Sequence, residues 1–205
     1  MIRLYRFAYS TNVERVALAL AHKGLEAESV EVDPADRTPV RELSGQELVP
    51  VIEDGGRVVA DSMAIVRYLD ERFPERPLYP REDPRRSETL VFVDWFDRVW
   101  KRPPNQIEAE LGAEAPDQDR IRDLSSEMRA ALDLFEGMLE GRDHLMGDDF
   151  SAADCAAFPF LKYAVQREPA DDELFHRLLE EHQPLGDGHP RLREWIERVN
   201  ARPRA

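Results

Sequence analysis

Two serines next to predicted helix starts are the residues best placed to do chemistry. Ser10 lies at a loop–helix junction, and Ser62 follows Asp61 directly ahead of an apolar helical pattern. The first amide groups of a helix, joined by a hydroxyl, stabilise a bound anion. Both positions could therefore hold an anionic group of a ligand. The alternative is that Ser10 is a turn residue and Ser62 a helix cap without further function.

Cysteine and metal chemistry have little support in the sequence. Cys155 is the single cysteine, so no disulfide or CxxC pair can form within the chain. Its small apolar neighbours predict a buried side chain. The five histidines show no metal-ligand spacing, and we assign no metal.

The charge balance excludes some classes of partner. Lys and Arg total 28 against 42 Asp and Glu, a formal net charge of −14. Such a surface does not attract nucleic-acid backbones or anionic membranes. No apolar run approaches the roughly 18 residues of a membrane helix, and the N-terminus has no signal-peptide pattern. We therefore expect a cytoplasmic protein whose partners are neither nucleic acids nor membranes.

The strands and helices predicted within residues 2–73 must position the two serines. Thr11 and Glu14 have the form of a capping box for a helix that Gly24 ends, and Ser62 is predicted to cap a second helix. A right-handed crossover makes the first two strands parallel, and the Asp54-Gly55-Gly56 turn makes the last two antiparallel. The predicted strands lie at 2–7, 26–32, 49–52 and 57–60. The predicted helices begin at 11 and span 62–73, and a polar loop is predicted at 33–47. This β-α-β-β-β-α order predicts a thioredoxin-like fold.

A proline-rich stretch separates this region from a helical one. Four prolines fall within residues 74–84, which suits a linker between two rigid bodies. Downstream, apolar residues recur at helical spacing in 86–101 and 118–139, Ser151 and Asp154 form a capping box, and Pro190 suits the first turn of a last helix. We predict a first domain at 1–76, a linker at 77–84 and an all-helical domain at 85–205. The apolar face predicted for 86–101 consists of Leu90, Val91, Trp95 and Val99.

Three segments, in this order, resemble the cytosolic glutathione transferase family with a serine-type active site. They are the loop and helix start at 9–16, the Val49-Pro50 step followed by Asp61-Ser62, and the helix-capping segment at 147–154. The resemblance covers nearly the whole chain. It implies a thioredoxin-like glutathione-binding domain, an all-helical second domain and a homodimer.

The resemblance implies a role for each residue of the first-domain site. The Val49-Pro50 bond would be cis and would turn the Val49 backbone towards the cysteinyl part of glutathione. Ser62 and the helix amides would hold the γ-glutamyl carboxylate, while Asp61 would help to neutralise the ammonium. Ser10 would meet the sulfur, where its hydroxyl and the helix N-terminus favour the thiolate of a thiol whose free pKa is about 8.5. Ser10 would thus stabilise an anion and not act as a nucleophile.

Other residues compete for this site or extend it. Tyr9 could swing its hydroxyl to the sulfur, Tyr5 is expected in the core, and Asn12 is an accessory glutathione-binding candidate. The resemblance implies a second pocket, for the electrophile, between Phe7–Tyr9 and the helix at 86–101. Its candidate residues are Phe7, Tyr9, Trp95, Arg98, Trp100 and Lys101. The alternative is that Trp95 packs in the core and that Arg98 and Lys101 are solvated.

One position departs from the family pattern. Leu48 stands where the family often has a lysine or glutamine that helps to bind the glycine end of glutathione. Gln46, Arg41 or Arg37 could replace that contact from the same loop. The thiol used by the protein could also differ from glutathione.

The function implied by the resemblance is conjugation of a glutathione thiolate to a small electrophile, as in detoxification. Three alternatives stay open at this point. A thiol-dependent isomerase would use the same residues, whereas a reductase normally needs a reactive cysteine where this chain has Ser10. The scaffold could also be a non-catalytic binding or assembly module, which the Leu48 departure allows.

Overall fold

The computed structural model describes residues 1–205 and contains two compact units. The first unit comprises Met1–Asp83 together with Arg202–Ala205, and the second comprises Pro84–Ala201. None of the helices is both long enough and apolar enough to cross a membrane.

The first unit has the predicted thioredoxin-like fold. Its elements are β1 (Ile2–Arg6), α1 (Thr11–Lys23), β2 (Ala27–Glu31), α2 (Thr38–Ser44), β3 (Val51–Asp54), β4 (Arg57–Ala60) and α3 (Ser62–Arg72). The four strands form one sheet in the order β2-β1-β3-β4. β1 pairs with β2 in parallel and with β3 antiparallel, and β3 and β4 form the antiparallel hairpin. The crossover and the hairpin predicted from the sequence are therefore both present.

The core of this unit lies between the sheet and the packed pair α1 and α3. β1 and β3 contribute Leu4 and Ile52, while α1 contributes Val16 and Leu20, and all four side chains are fully buried. Apolar residues spaced three or four apart form the buried face of each helix, and alternate residues of each strand form the buried face of the sheet. This packing fixes where the first residues of α1 and α3 lie.

Three local predictions in this unit were wrong. The loop at 33–47 contains the short helix α2, of which only Val40 is buried, so it leaves almost no periodic signal in the sequence. The N-cap of α1 is Ser10, not Thr11, because the Ser10 hydroxyl accepts from the Val13 amide. The N-cap of α3 is Asp61, not Ser62, because the Asp61 carboxylate accepts from the Ala64 amide.

A buried ion pair fastens the segment that follows α3. The Lys23 ammonium lies 2.8 Å from the Asp70 carboxylate and also donates to the carbonyl groups of Phe73, Glu75 and Arg76. Asp70 in turn accepts hydrogen bonds from the amides of Leu78 and Tyr79. This network of charged and backbone groups ties the end of α1 to residues 73–79.

The second unit is helical, as predicted. It comprises most of α4 (Asp83–Trp95), a π-helical turn (Phe96–Trp100), α5 (Arg102–Leu111), α6 (Gln118–Met138), α7 (Ala152–Leu161), a 3-10 turn (Lys162–Ala164), α8 (Leu174–His182) and α9 (Pro190–Asn200). The predicted capping box at the start of α7 is confirmed: Ser151 caps the helix, and Asp154 accepts from the Ser151 amide. Asp154 is fully buried and also accepts from the Leu145 amide and the Trp195 indole. Cys155 is buried, as expected.

The apolar face predicted for 86–101 was wrong at two positions. Val91 is 68% exposed and Val99 is 48% exposed, while Phe92, Phe96 and Trp100 are buried. The buried face lies one residue later than predicted, and from Phe96 it continues through a π-helical turn, in which the Lys101 amide donates to the Phe96 carbonyl five residues earlier. In this turn Phe96 and Trp100 form a stacked pair with ring centroids 4.4 Å apart. The stacked rings pack against Phe135 and Phe160 from α6 and α7.

Candidate functional site

Strand register brings several predicted site residues to one end of the sheet. Val51 pairs with Tyr5 on one side and with Ala60 on the other. Continuing this register by two residues places Val49 beside Phe7 and near the start of α3. The loop that follows Phe7 leads directly into α1 at Ser10. Val49 and the starts of α1 and α3 therefore lie at the same end of the sheet.

Ser10 is half-buried at the N-terminus of the thirteen-residue helix α1. Its oxygen accepts the Val13 amide hydrogen at 3.3 Å. A hydroxyl has two acceptor lone pairs and one donor hydrogen, so capping uses a lone pair only. The hydrogen of Ser10 is donated to no other group of the protein. The geometry thus leaves one O–H at the positive end of a helix, where it can donate to an anion.

A hydrogen-bonded chain joins α1 to α3 next to Ser10. The Ser62 hydroxyl donates to the Asn12 side chain at 3.4 Å and accepts from the Arg15 guanidinium at 3.2 Å. Ser62 and Arg15 are both buried, at 4% and 1% exposure. The sequence interpretation named Asn12 and Ser62 but missed Arg15. The sequence signal that could have identified Arg15 is its place within the apolar stripe of α1, next to Val16.

Asp61 has an unusual backbone conformation at the cap of α3. Its φ of 74° and ψ of 125° lie outside the common regions for a non-glycine residue. Such a conformation costs on the order of 1–3 kcal/mol and clusters at functional sites. One carboxylate oxygen accepts from the Ala64 amide at 2.9 Å, and the other is bonded to no group of the protein. The exposed side chain can therefore cap the helix with one oxygen and bind a cation with the other at the same time.

Val49 offers its backbone to a ligand. The Val49-Pro50 peptide bond is cis, as the resemblance implies. The N–H and C=O of Val49 lie outside the paired region of β3, and neither makes a hydrogen bond within the protein. Backbone groups without partners are rare in buried positions, and Val49 is 8% exposed. An extended peptide could pair with them as an added strand does.

The residues proposed for a second pocket fall in both units. In the first unit Phe7 is half-buried beneath the Arg37 guanidinium, Tyr9 is 40% exposed with a φ of 59°, and Tyr5 is buried as expected. In the second unit Trp95 packs against Phe92, Phe96 and Phe135. Arg98 is exposed and paired with Asp94, and Lys101 lies over the Phe160 ring. Trp100 is buried in the aromatic cluster.

The chain lacks a cluster of metal-ligating side chains, and its single cysteine is buried. No group of three or more His, Cys, Asp or Glu side chains could hold a metal ion. Cys155 has no exposed surface and cannot reach a solvent-borne substrate.

Two family models match the chain. The glutathione S-transferase N-terminal domain matches residues 4–77, and the glutathione S-transferase C-terminal domain matches residues 118–198. Together they cover nearly all of the sheet, the candidate thiol site and most of the helical unit.

Individual proteins agree with these models. Glutathione S-transferase 1 of Dianthus caryophyllus is 41% identical over 77% of this chain and 75% of its own length. A stringent starvation protein A homolog of Pasteurella multocida is 30% identical over 72% of this chain and 67% of its own. The crystal structure of a glutathione S-transferase from Rhodospirillum rubrum has a TM-score of 0.77 and 27% identity, covering 99% of this chain and 89% of that one. From these matches, the chain belongs to the glutathione S-transferase family.

Proposed function

We propose that the protein is a glutathione transferase in which Ser10 stabilises the thiolate of the bound thiol. The observation that carries this proposal is the Ser10 hydroxyl, which caps α1 with a lone pair and keeps its hydrogen for a ligand. A hydrogen bond to the charged form, together with the N-terminus of α1, lowers the pKa of a thiol placed there. More of the thiol is then ionised at neutral pH.

The chemical step that follows is a nucleophilic displacement. The sulfur lone pair forms a bond to an electrophilic carbon, the bond from that carbon to its leaving group breaks, and the leaving group departs with the electron pair. The thiol proton has already passed to solvent. The protein contributes proximity and thiolate stabilisation, and no side chain forms a covalent bond.

The remaining site residues would hold the peptide part of the thiol. The unpaired N–H and C=O of Val49 suit the backbone of the cysteinyl residue. The amides at the start of α3 suit the γ-glutamyl carboxylate, while the second oxygen of Asp61 suits the ammonium. The Ser62 hydroxyl would join the amides by turning its hydrogen from the Asn12 side chain to the carboxylate, with Asn12 as an accessory contact. Apart from Ser62, the proposed ligand uses groups that the fold leaves available.

The rest of the proposal concerns the second substrate and the assembly. Phe7 and Tyr9 of the first unit, and separately Trp95 and Arg98 of the second, stay the candidate contacts of the electrophile, and we expect a homodimer acting in detoxification in the cytoplasm. Thiol-dependent reduction is disfavoured because Ser10 stands where a reactive cysteine is needed and Cys155 is buried. An isomerase would share the thiolate step and would differ only in its electrophile.

Calorimetric titration tests the thiol site directly. We expect saturable binding of glutathione at micromolar to millimolar concentrations, and tighter binding of an S-alkylated glutathione that also fills the second pocket. Asp61→Asn keeps an oxygen that can cap α3 but removes the charge, so it should weaken glutathione binding about tenfold without unfolding the protein. Unchanged binding in Asp61→Asn would show that the ammonium site is wrong. No binding to the parent protein would favour a non-catalytic module.

A further inference from the structure

The loop before Val49 presents an apolar side chain to solvent at one end of the proposed thiol site. Leu48 is 67% exposed, among the largest exposures of any large apolar residue in the chain. It immediately precedes the backbone groups of Val49 that we assign to the cysteinyl residue. The peptide partner of Val49 would have its γ-glutamyl end at α3, so its third residue would extend away from α3 and past Leu48.

The Gln46 side chain is committed to the loop itself. The Gln46 amide oxygen accepts from the Leu48 backbone N–H at 2.5 Å, and its amide nitrogen donates to the Leu48 carbonyl at 2.8 Å. The same nitrogen also lies 3.3 Å from the Ser44 hydroxyl. Gln46 therefore closes a ring on the backbone of Leu48. Contacting a ligand would break two hydrogen bonds that shape the loop.

The two nearby arginines are also engaged. The Arg41 guanidinium lies 2.7 Å from the Glu47 carboxylate and donates to the Thr38 hydroxyl. Arg37 donates to the Pro34 carbonyl, and its guanidinium lies over the Phe7 ring, 5.5 Å from the centroid. Glu47, next to Leu48, offsets the Arg41 charge, so this pair presents no net charge to a ligand. No cation outside an ion pair or a ring contact is therefore presented to a carboxylate there.

We infer that this site selects γ-glutamyl thiols whose third position carries no negative charge. The inference rests on the proposed thiol site and concerns only the end beyond the cysteinyl residue. A glycine carboxylate placed beside Leu48 and Glu47 would lose hydration without gaining a cation. An amide or ester at the same position would lose less and could pack its apolar atoms on Leu48. Leu48 is then the specificity-determining residue of this end.

Calorimetry with two matched thiols tests the inference. The probes are glutathione and glutathione whose glycine carboxylate is converted to the amide, which differ by one charge. We expect the parent protein to bind the amide at least as tightly as glutathione. Leu48→Lys should introduce a preference of about fivefold for glutathione, the size of an exposed ion pair. Leu48→Met, which keeps an uncharged apolar side chain, should keep the parent's pattern.

The outcomes distinguish a failure of this inference from a failure of the proposed function. A parent protein that binds glutathione more tightly than the amide would overturn the inference while supporting the thiol site. Loss of that preference in Arg37→Met or Arg41→Met would then identify the cation that moves. A Leu48→Lys variant that gains no preference for glutathione would also overturn it. Binding of neither thiol to the parent would overturn the proposed function and the inference together.

Discussion

At Ser10, one hydroxyl group supports a helix with its lone pair and retains its hydrogen for a ligand. The two roles can be separated by substitution. Aspartate is as good an N-cap as serine but has no hydrogen to donate at neutral pH, whereas threonine has both. Alanine loses both roles at once, so its effect on activity is mixed with a loss of stability.

We expect Ser10→Thr to conjugate glutathione to an activated aryl halide at close to the parent rate. Ser10→Asp should lower kcat/KM by about 100-fold or more, because the donor to the thiolate is lost and a negative charge is added. The pH–rate profile should shift upwards in Ser10→Asp, since the bound thiol ionises at higher pH. Ser126→Ala, on the exposed face of α6, is the control and should change neither rate nor profile. Full activity in Ser10→Asp would transfer the sulfur contact to another residue such as Tyr9.

The residues of the site differ in how visible they are in the sequence. Ser10, Val49, Pro50, Asp61 and Ser62 stand in a recognisable order, and their elements follow from the hydrophobic pattern. The roles within them were harder to predict, since capping by Asp61 depends on a φ of 74° that no propensity favours. Arg15 was missed because pattern analysis treats a charge on a buried stripe as noise. Its bond to Ser62 exists only once α1 and α3 are packed.

At the scale of elements, long periodic segments were predictable and short or irregular ones were not. The four strands, α1, α3 and α6 carry enough alternating or 3.6-residue periodicity to be located from the sequence. α2 buries a single residue, Val40, and so gives no period to detect. In 86–101 the predicted face was placed one residue too early, so Val91 and Val99 were assigned to the core in place of Phe92 and Trp100, and the π-helical turn at 96–100 was not foreseen.

The buried pair of Lys23 and Asp70 should determine how firmly the end of α3 is held. Lys23→Met leaves the Asp70 carboxylate without its cation and removes the donor to three carbonyls, so unfolding should become easier by about 3–5 kcal/mol. Adding Asp70→Asn should restore part of that loss, because no unpaired charge then stays buried. Arg67→Met, on the exposed side of α3, is the control and should change stability by less than about 0.5 kcal/mol. Urea denaturation measures all three, and an unaffected Lys23→Met would contradict the assigned role.

The end of α1 also carries a pH-sensitive contact with residues 202–205. Burial and the neighbouring Arg202 and Lys23 charges lower the pKa of His22 to about 4. Arg202 donates to His22 Nδ1 at 3.0 Å, which requires that nitrogen to be unprotonated, and the Ala205 amide donates to the Ala17 carbonyl. Between pH 6.5 and about 4 the unfolded chain therefore binds a proton that the folded protein does not. Stability contributed by neutral His22 is full above pH 6.5 and is lost as the pH falls through this range.

We expect His22→Asn, whose side-chain oxygen can still accept from Arg202, to lose less stability between pH 6.5 and 4 than the parent. The difference should be on the order of 1 kcal/mol, since His22 is partly screened by solvent. Urea midpoints at several pH values measure it, and hydrogen exchange at the Ala205 amide reports the contact itself. Identical pH dependence in the two proteins would contradict a role for His22.

At the scale of the whole molecule, the net charge of −14 is unevenly distributed along the chain. Residues 1–80 contain 10 basic and 14 acidic residues, while residues 81–205 contain 18 and 28. Self-repulsion opposes the compact state, and many exposed ion pairs contribute at most about 1 kcal/mol each. Because salt screens both the repulsion and the ion pairs, the larger of the two decides whether added salt raises or lowers the stability. With this excess of negative charge we expect repulsion to dominate.

The melting temperature should therefore rise by several degrees between about 0.01 M and 1 M sodium chloride, where the Debye length falls from about 30 Å to about 3 Å. The helical unit should gain most, because most of the acidic excess lies there. A matched variant neutralises four exposed acidic residues of that unit that have no ion-pair partner: Glu88→Gln, Glu114→Gln, Asp123→Asn and Asp172→Asn. It should melt higher than the parent at low salt and respond less to added salt. A melting temperature that falls with salt in the parent would show instead that its surface ion pairs outweigh the repulsion.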